Sequence, residues 1–530
     1  NYCCFALSGN ACYLPRVAGM AATCGSYTVA DCSQQFVDRY DNPAYIVPEL
    51  MVIWGNYPLR ANSDGFYGHW VIDLMKRGMK IVMIDPKVTW LSAKAEVHLP
   101  VRPGTDAALA LAMMNVIINE DLYDHDFVDR WCYGFEELSE HVQPFTPEYA
   151  ETTTWVPAER IRKAARILAA SRPATLQWGV AVDMTREAMP AGQAILALWE
   201  ITGNMERPGG MIVAPEILSV AGGWGREILG PEQEAKRIGI KDYPLYNFGF
   251  AVSQPDETVK TIETGVPYEI HGAWLQTTNP IACMGADPHR VYNAFNKCDF
   301  IVSVDLFMTP TIMALADVVL PAATFAERNG IRVGDGAQRG ETINKVCQVG
   351  ECKSDMEINL ELGRRLNPAA WPWADVKEMF SSIIGETGYS FDELREVAPA
   401  YPQYTYRKHE LGWLRDDGQP GFNTNTGKCE LYNTLFDAWG FDPLPYYEEP
   451  PESPISTPEL FEQYPLVLTT GARNWSYFHS EHRQIPRLRA LHPEPLVYVN
   501  PNTAARHGVK DGDWVWLENK HGKCKYKAAF

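Results

Sequence analysis

Leu50-Met51-Val52-Ile53-Trp54-Gly55-Asn56-Tyr57-Pro58 decides the architecture of this chain. Five apolar residues in succession, closed by glycine, read as a strand buried on both faces, the signature of a parallel sheet. The pattern returns at Lys80-Ile81-Val82-Met83-Ile84-Asp85-Pro86. Between the two, Phe66 to Arg77 has helical periodicity and stops near Gly78. Further on, Pro103-Gly104-Thr105-Asp106 opens a strongly apolar helix over 107–119. An amphipathic helix follows over 157–171, then a strand end at Gln177-Trp178-Gly179-Val180 and a helix over 191–202 closed by Gly203. Such alternation predicts an α/β lobe with a parallel sheet covered by helices. A second unit repeats it with strands at 273–278, 300–305 and 316–321. Residues 215–270 are rich in glycine and charge without clear periodicity, and read as insertions and a linker. Beyond the proline-rich stretch 443–454, short strands at 466–470, 497–500 and 514–518, with a turn at Asp511-Gly512-Asp513, predict a β-barrel. The expected division is 1–268, 269–450 and 451–530: two parallel-sheet lobes, then a truncated barrel domain.

The chain has 530 residues, enough for several cores. A net charge of −19 with no basic run argues against a nucleic-acid partner. No apolar run is long enough to span a membrane. Twelve cysteines are scattered along the chain. The only cluster, Cys3, Cys4, Cys12, Cys24 and Cys32, lacks the paired spacing of a zinc site. His479 and His482 have no carboxylate motif beside them that would make a zinc pair. Residue 1 is Asn and the last residues run into a strand, so the sequence reads as a fragment.

In an open parallel sheet, ligands sit beyond the carboxyl ends of the strands. Those ends carry Trp54, Gly55, Asn56 and Pro58, then Asp85, Pro86 and Lys87. Glycine lets backbone approach a ligand, Asn56 offers an amide, Asp85 an acceptor for ribose hydroxyls and Lys87 a cation for phosphate. Arg102, Gly104, Thr105 and Asp106 open a helix whose N-terminus can hold an anion, although Asp106 reads equally as its cap. The second unit has Thr278, Asn279 and Pro280, then Ser303 and Asp305, then Thr309 and Asp317. Turn capping is the alternative for Asp305. No Gly-x-Gly-x-x-Gly or Walker loop is present.

Upstream lies Gly9-Asn10-Ala11-Cys12-Tyr13-Leu14-Pro15-Arg16-Val17-Ala18-Gly19. Cys12 is either a small buried hydrophobe or a soft thiolate ligand for a metal held by other sulfurs. The Cys-x-x-Pro-x-Val-Ala-Gly pattern is similar to the metal-ligand segment of the bis-pterin enzymes of the dimethyl-sulfoxide reductase family, the molybdopterin guanine dinucleotide oxidoreductases. Trp-Gly-x-x-Pro, Asp-Pro-Lys and Arg-Pro-Gly-Thr-Asp resemble the family's first dinucleotide site in order. Gly203-Asn204 with Arg207-Pro208-Gly209-Gly210 does so too. The second unit resembles its second dinucleotide lobe, with Asp305 on the ribose. Gly471, Arg473, His479 and Ser480 fall where its last domain covers the pterins. Gly25-Ser26-Tyr27, Arg102 to Glu137, 427–431 and 441–447 resemble the acetylene hydratase branch, with the related catechol dehydroxylases as a neighbouring branch.

The resemblance implies molybdenum or tungsten held by two molybdopterin guanine dinucleotides and by Cys12. It implies a [4Fe-4S] cluster on a domain upstream of Asn1, and an iron–sulfur partner subunit for electron transfer. The implied reaction, in an anaerobe, is two-electron oxygen or hydroxyl transfer on a small organic substrate, for example reductive dehydroxylation. A non-redox hydratase is one alternative. An inactive nucleotide-binding subunit is another, against which Cys12 speaks. Formate dehydrogenases have histidine after the metal ligand, where this chain has Tyr13, so formate oxidation is not expected. Tyr13, Arg16, Trp178 and Asp183 are candidates around the substrate, with Arg186, Arg332 and Arg339 as further guesses. The compartment stays open between the cytoplasm and export on a twin-arginine leader.

Overall fold

The computed structural model describes residues 10–61, 67–213, 230–244, 253–283, 287–332, 339–401, 403–471, 474, 476 and 482–530, with the side chains of 10–15 and 386 outside the description. Eleven elements frame the site: α1 (Asn10–Cys24), β1 (Leu50–Trp54), β2 (Lys80–Ile84), β3 (Val97–Leu99), α2 (Asp106–Asn119), α3 (Ala158–Ala170), β4 (Ala174–Trp178), α4 (Ala188–Ile201), β5 (Gly272–Gln276), β6 (Phe300–Asp305) and β7 (Val318–Pro321). The first lobe's sheet is parallel throughout, in the order β3-β2-β1-β4. Every residue of β1 is buried, as its unbroken apolar run requires. α2 is buried from Asp106 to Ile117. Its one mid-helix amide, Asn115, is satisfied by the Val142 carbonyl at 3.0 Å. α1 and α4 contribute Met20, Cys24, Ile195 and Trp199 to the same core.

The second lobe is a parallel sheet in the order β7-β6-β5. Its core joins Leu275 and Ile301 to Val259, Ile262, Val291 and Phe295. This corrects the reading of 215–270 as insertions and a linker over its last part; residues 215–229 and 245–252 lie outside the described residues. Pro255–Thr264 is a helix, capped by the Gln254 side chain accepting from Glu257 N at 2.8 Å and closed by Gly265 in the left-handed region. Val259 and Ile262, three residues apart, turn one face onto β5. The second core therefore begins before residue 268.

The boundary at 450 also shifts. Residues 404–450 return to the first lobe, where Phe422, Cys429 and Leu431 enter its core. Cys429–Glu430 pairs in parallel with Cys132–Tyr133. Tyr406 donates to Asp31 at 2.7 Å, and Lys408 reaches Glu206 at 2.9 Å. The Lys408–Glu206 contact is buried and the Tyr406–Asp31 contact half-buried, and both are charge-assisted, which fixes the returning chain.

At the C-terminus, Gly522–Ala529 lies between Leu496–Tyr498 and Trp514–Asn519, parallel to the first and antiparallel to the second. These strands form an open three-stranded sheet, and the described residues do not close into a barrel. Residues 466–470, expected as a strand, pair with no other strand among the described residues.

Glu200 on α4 is fully buried, and neither carboxyl oxygen has a full hydrogen-bond partner. Burial pushes its carboxyl up to about 8. The unfolded chain releases this proton near pH 4.5 while the folded chain keeps it, so its contribution to stability falls as pH rises from about 4.5 to 8. Glu200→Gln removes that loss. Its advantage over the parent in denaturant unfolding is expected to grow by roughly 1.4 kcal/mol per pH unit across this window. A constant difference would refute the assignment.

Candidate active site

The strand order of the first sheet fixes where a ligand can enter. From β1 the chain moves through β2 to β3, then crosses back to place β4 on the other side of β1. The crevice between the carboxyl ends of β1 and β4 is the topological switch point. Two glycines stand there. Gly55 has φ +57°, and a Cβ on Gly179 would lie 2.3 Å from the Gly55 carbonyl oxygen. Only glycine permits this approach of the two loops. Asn56 donates to the Trp178 carbonyl at 3.4 Å across the same gap.

Three candidates from distant segments meet here. Arg16 on α1 donates from its backbone N to Asp183 Oδ1 and from Nε to Asp183 Oδ2, both at 2.9 Å. Its Nη1 donates to the Trp178 carbonyl at 3.0 Å. The guanidinium lies 5.3 Å from the Trp178 ring centre. Burial pushes the Asp183 carboxyl up, and the charge and hydrogen bonds of Arg16 pull against that. α1 is thereby clamped to the loop that leaves β4. Cys12 and Tyr13 lie on α1 about one turn before Arg16, with side chains outside the described ones.

Asp85 and Lys87 follow β2. Asp85 accepts from Lys87 N at 2.7 Å in a tight turn, and burial pushes its carboxyl up. The Lys87 ammonium lies 3.8 Å from the ring centre of Tyr498, whose hydroxyl accepts from Arg60 at 3.1 Å. Arg60 and Tyr498 were missed by sequence reasoning. Arg60 lies two residues past Pro58, which is buried, and was within reach of the strand-end rule. Nothing local marks Tyr498. Together they place two cations and an aromatic face beside the carboxyl end of β2, a fit for phosphate and a base.

Several expected contacts are structural instead. Trp54 is fully buried, and its indole N–H donates to Asp106 at 2.8 Å. Asp106 is therefore an anchor inside the first turn and not the cap, which is Thr105; burial raises its carboxyl to about 6. Arg102 is spent on the Glu449 carboxylate (2.6 and 2.8 Å), the Tyr447 hydroxyl and the Thr153 carbonyl. Thr105 is fully buried and donates to the Arg102 carbonyl, and Pro450 covers Gly104. Gly203 and Asn204 lie at the wrong end of the sheet: Asn204 Oδ1 accepts from the N–H of Ala174, the first residue of β4. Asp317 lies at the amino edge of the second sheet, bonded to Ile301 N at 2.8 Å. Ser303 is buried in mid-strand, and Thr309 caps a helix by accepting from Ile312 N.

At the carboxyl edge of the second sheet remain Thr278, Asn279, Pro280 and Asp305. Asp305 accepts from Phe307 N at 3.1 Å, and Asn279 accepts from Thr311 at 2.6 Å. Thr278 Oγ1 is buried with no partner, an atom suited to a ligand's hydrogen bond. Pro86 is exposed beside Asp85, and Gly471 is exposed as well. Arg473, His479 and Ser480 lie outside the described residues. Arg186 pairs with Glu187, while Arg332 and Arg339 both pair with Glu341. Among the described residues no group of three His, Cys, Asp or Glu side chains could hold a metal by itself.

Residues 47–365 match the family described as Molybdopterin oxidoreductase, and 466–530 match the Molydopterin dinucleotide binding domain. The chain is 34% identical over 479 residues to acetylene hydratase of Syntrophotalea acetylenica, covering 85% of this chain and 64% of that protein. It is 29% identical over 480 residues to dopamine dehydroxylase of Eggerthella lenta, covering 74% and 46%. The chain thus spans less than two thirds of both relatives. The solved structure of acetylene hydratase from Pelobacter acetylenicus superposes with a TM-score of 0.85 at 30% identity, over 98% of this chain and 72% of that one. A doubly wound lobe with its crevice opened by paired glycines, and a sequence match over more than half its length, agree: the chain belongs to the molybdopterin oxidoreductase family.

Proposed function

We propose that this chain is the catalytic part of a molybdenum or tungsten enzyme that binds two molybdopterin guanine dinucleotides, with Cys12 as the protein's ligand to the metal. The observation that carries this reading is the Arg16–Asp183 clamp, which ties the helix bearing Cys12 to the glycine-opened switch point. Gly55, Asn56, Asp85, Lys87, Arg60 and Tyr498 hold the first dinucleotide in this proposal. Thr278, Asn279 and Asp305 hold the second. We read residues 451–530 as belonging to the domain that covers the pterins. The bound group supplies a metal centre that exchanges two electrons or polarises a small ligand. The chain's own residues bind and orient: Arg16 fixes α1, Trp178 walls the crevice, and Asp183 neutralises the guanidinium so that no uncompensated cation faces the substrate.

The reaction we favour is two-electron oxygen or hydroxyl transfer on a small organic molecule, such as reductive dehydroxylation, fed through an iron–sulfur cluster and an iron–sulfur partner subunit. The likeness to acetylene hydratase supports a second reading, hydration without net redox change. Assays of the full-length protein under anaerobic conditions distinguish the two. Substrate-dependent oxidation of a reduced viologen dye supports the first. Addition of water with no dye consumed supports the second. Neither activity over a panel of phenolic and unsaturated substrates would overturn both.

A further inference from the structure

Cys132 and Cys429 stand opposite each other in register where the returning segment joins the first lobe. Neighbouring strands lie about 4.8 Å apart, and directly paired residues turn their side chains to the same face. That spacing falls inside the Cα separation of roughly 4.4–6.8 Å that a disulfide spans. Both thiols are buried in the first-lobe core. Glu200 is buried against them, with the Cys429 thiol beside it in less than full hydrogen-bond geometry. A third thiol, Cys24, is turned to its own chain, donating to the carbonyls of Met20 at 3.2 Å and Ser26 at 3.3 Å.

We propose that Cys132 and Cys429 form an oxidisable pair whose disulfide welds residues 404–450 to the first lobe. Burial holds both thiols protonated. Once local opening lets one ionise, its thiolate sulfur attacks an oxygen of hydrogen peroxide, the oxidant, and the released proton goes to the leaving hydroxide. The O–O bond breaks, two electrons leave the sulfur, and a sulfenic acid and one water result. The second thiol then attacks the sulfenic sulfur. The S–S bond forms as the S–O bond breaks, and the hydroxyl leaves as a second water with the thiol proton. In sum, two thiols and one peroxide give one disulfide and two waters. A dithiol reverses the step by exchange. Because both sulfurs are covered, the rate follows local opening of the returning segment.

The test is peptide mapping of the full-length holoenzyme, purified anaerobically, treated with hydrogen peroxide, then alkylated under denaturing conditions and digested without reduction. The expected product is one cross-linked pair of peptides containing Cys132 and Cys429, lost on dithiothreitol and absent from Cys132→Ser and Cys429→Ser. The thermal midpoint is expected to rise by about 5 °C on oxidation, because the bond closes a very long loop. Alkylated Cys132 and Cys429 after the exposed Cys283, Cys347 and Cys524 have been oxidised would overturn the proposal. So would a Cys24–Cys429 link. The map of the parent protein decides the matter even if neither variant folds.

Discussion

Cys12→Ser in the full-length protein is expected to lower turnover by more than a hundredfold while leaving the fold and the bound dinucleotides in place. The magnitude follows from ligand chemistry. Replacing groups that merely support a metal ligand costs about 10–100-fold, and the ligand itself counts for at least that. Serine is close in size to cysteine but offers a hard oxygen donor in place of a soft thiolate. The fold is expected to survive because α1 is held elsewhere, by Arg16 on Asp183 and by Met20 and Cys24 in the core. Turnover, circular dichroism and pterin content measured on one preparation check all three parts. Full activity in the serine variant would remove Cys12 from the metal.

Asp183→Ala is expected to destabilise the protein by about 3–5 kcal/mol, the cost of leaving one member of a buried ion pair without its partner. Both side chains are almost wholly covered, at 10% for Arg16 and 0% for Asp183. Arg16→Ala/Asp183→Ala together are expected to cost less than the sum of the single changes, because the second removes the stranded charge. Urea unfolding of the four proteins in the cycle gives the coupling energy. A coupling near zero would mean that the clamp does not hold α1 to the crevice.

The framework was legible because three of the four strands of the first-lobe sheet announce themselves, while the short β3 (Val97–Leu99) carries no such run. The apolar runs at 50–54 and 80–84 became β1 and β2, and the site residues that directly follow a parallel strand, Gly55, Asn56, Asp85 and Lys87, are where the strand-end rule puts them. The rule also explains the misplacements. A crossover helix runs antiparallel to the strands it links, so the residues after it sit at the amino edge of the sheet. Gly203 and Asn204 follow α4, and Asp317 follows Pro310–Leu315, so all three were bound to lie away from the crevice. Reading direction as well as motif would have excluded them. Other outcomes were beyond local reading. Glu449 takes up Arg102 from 347 positions away, and Tyr498 meets Arg60 from 438. The helix over 255–264 was hidden by its polar composition, since only a few of its positions are apolar. Arg16 is far in sequence from Trp178 and Asp183, and the structure adds that it touches both.

The central claim is that a metal held by two dinucleotides sits over the crevice between β1 and β4. Quantitative elemental analysis and pterin extraction on the full-length protein, purified without oxygen, test it most directly. The account predicts close to one molybdenum or tungsten atom and two guanine dinucleotides per chain. A well-folded, anaerobically prepared protein with neither metal and no pterin would contradict it.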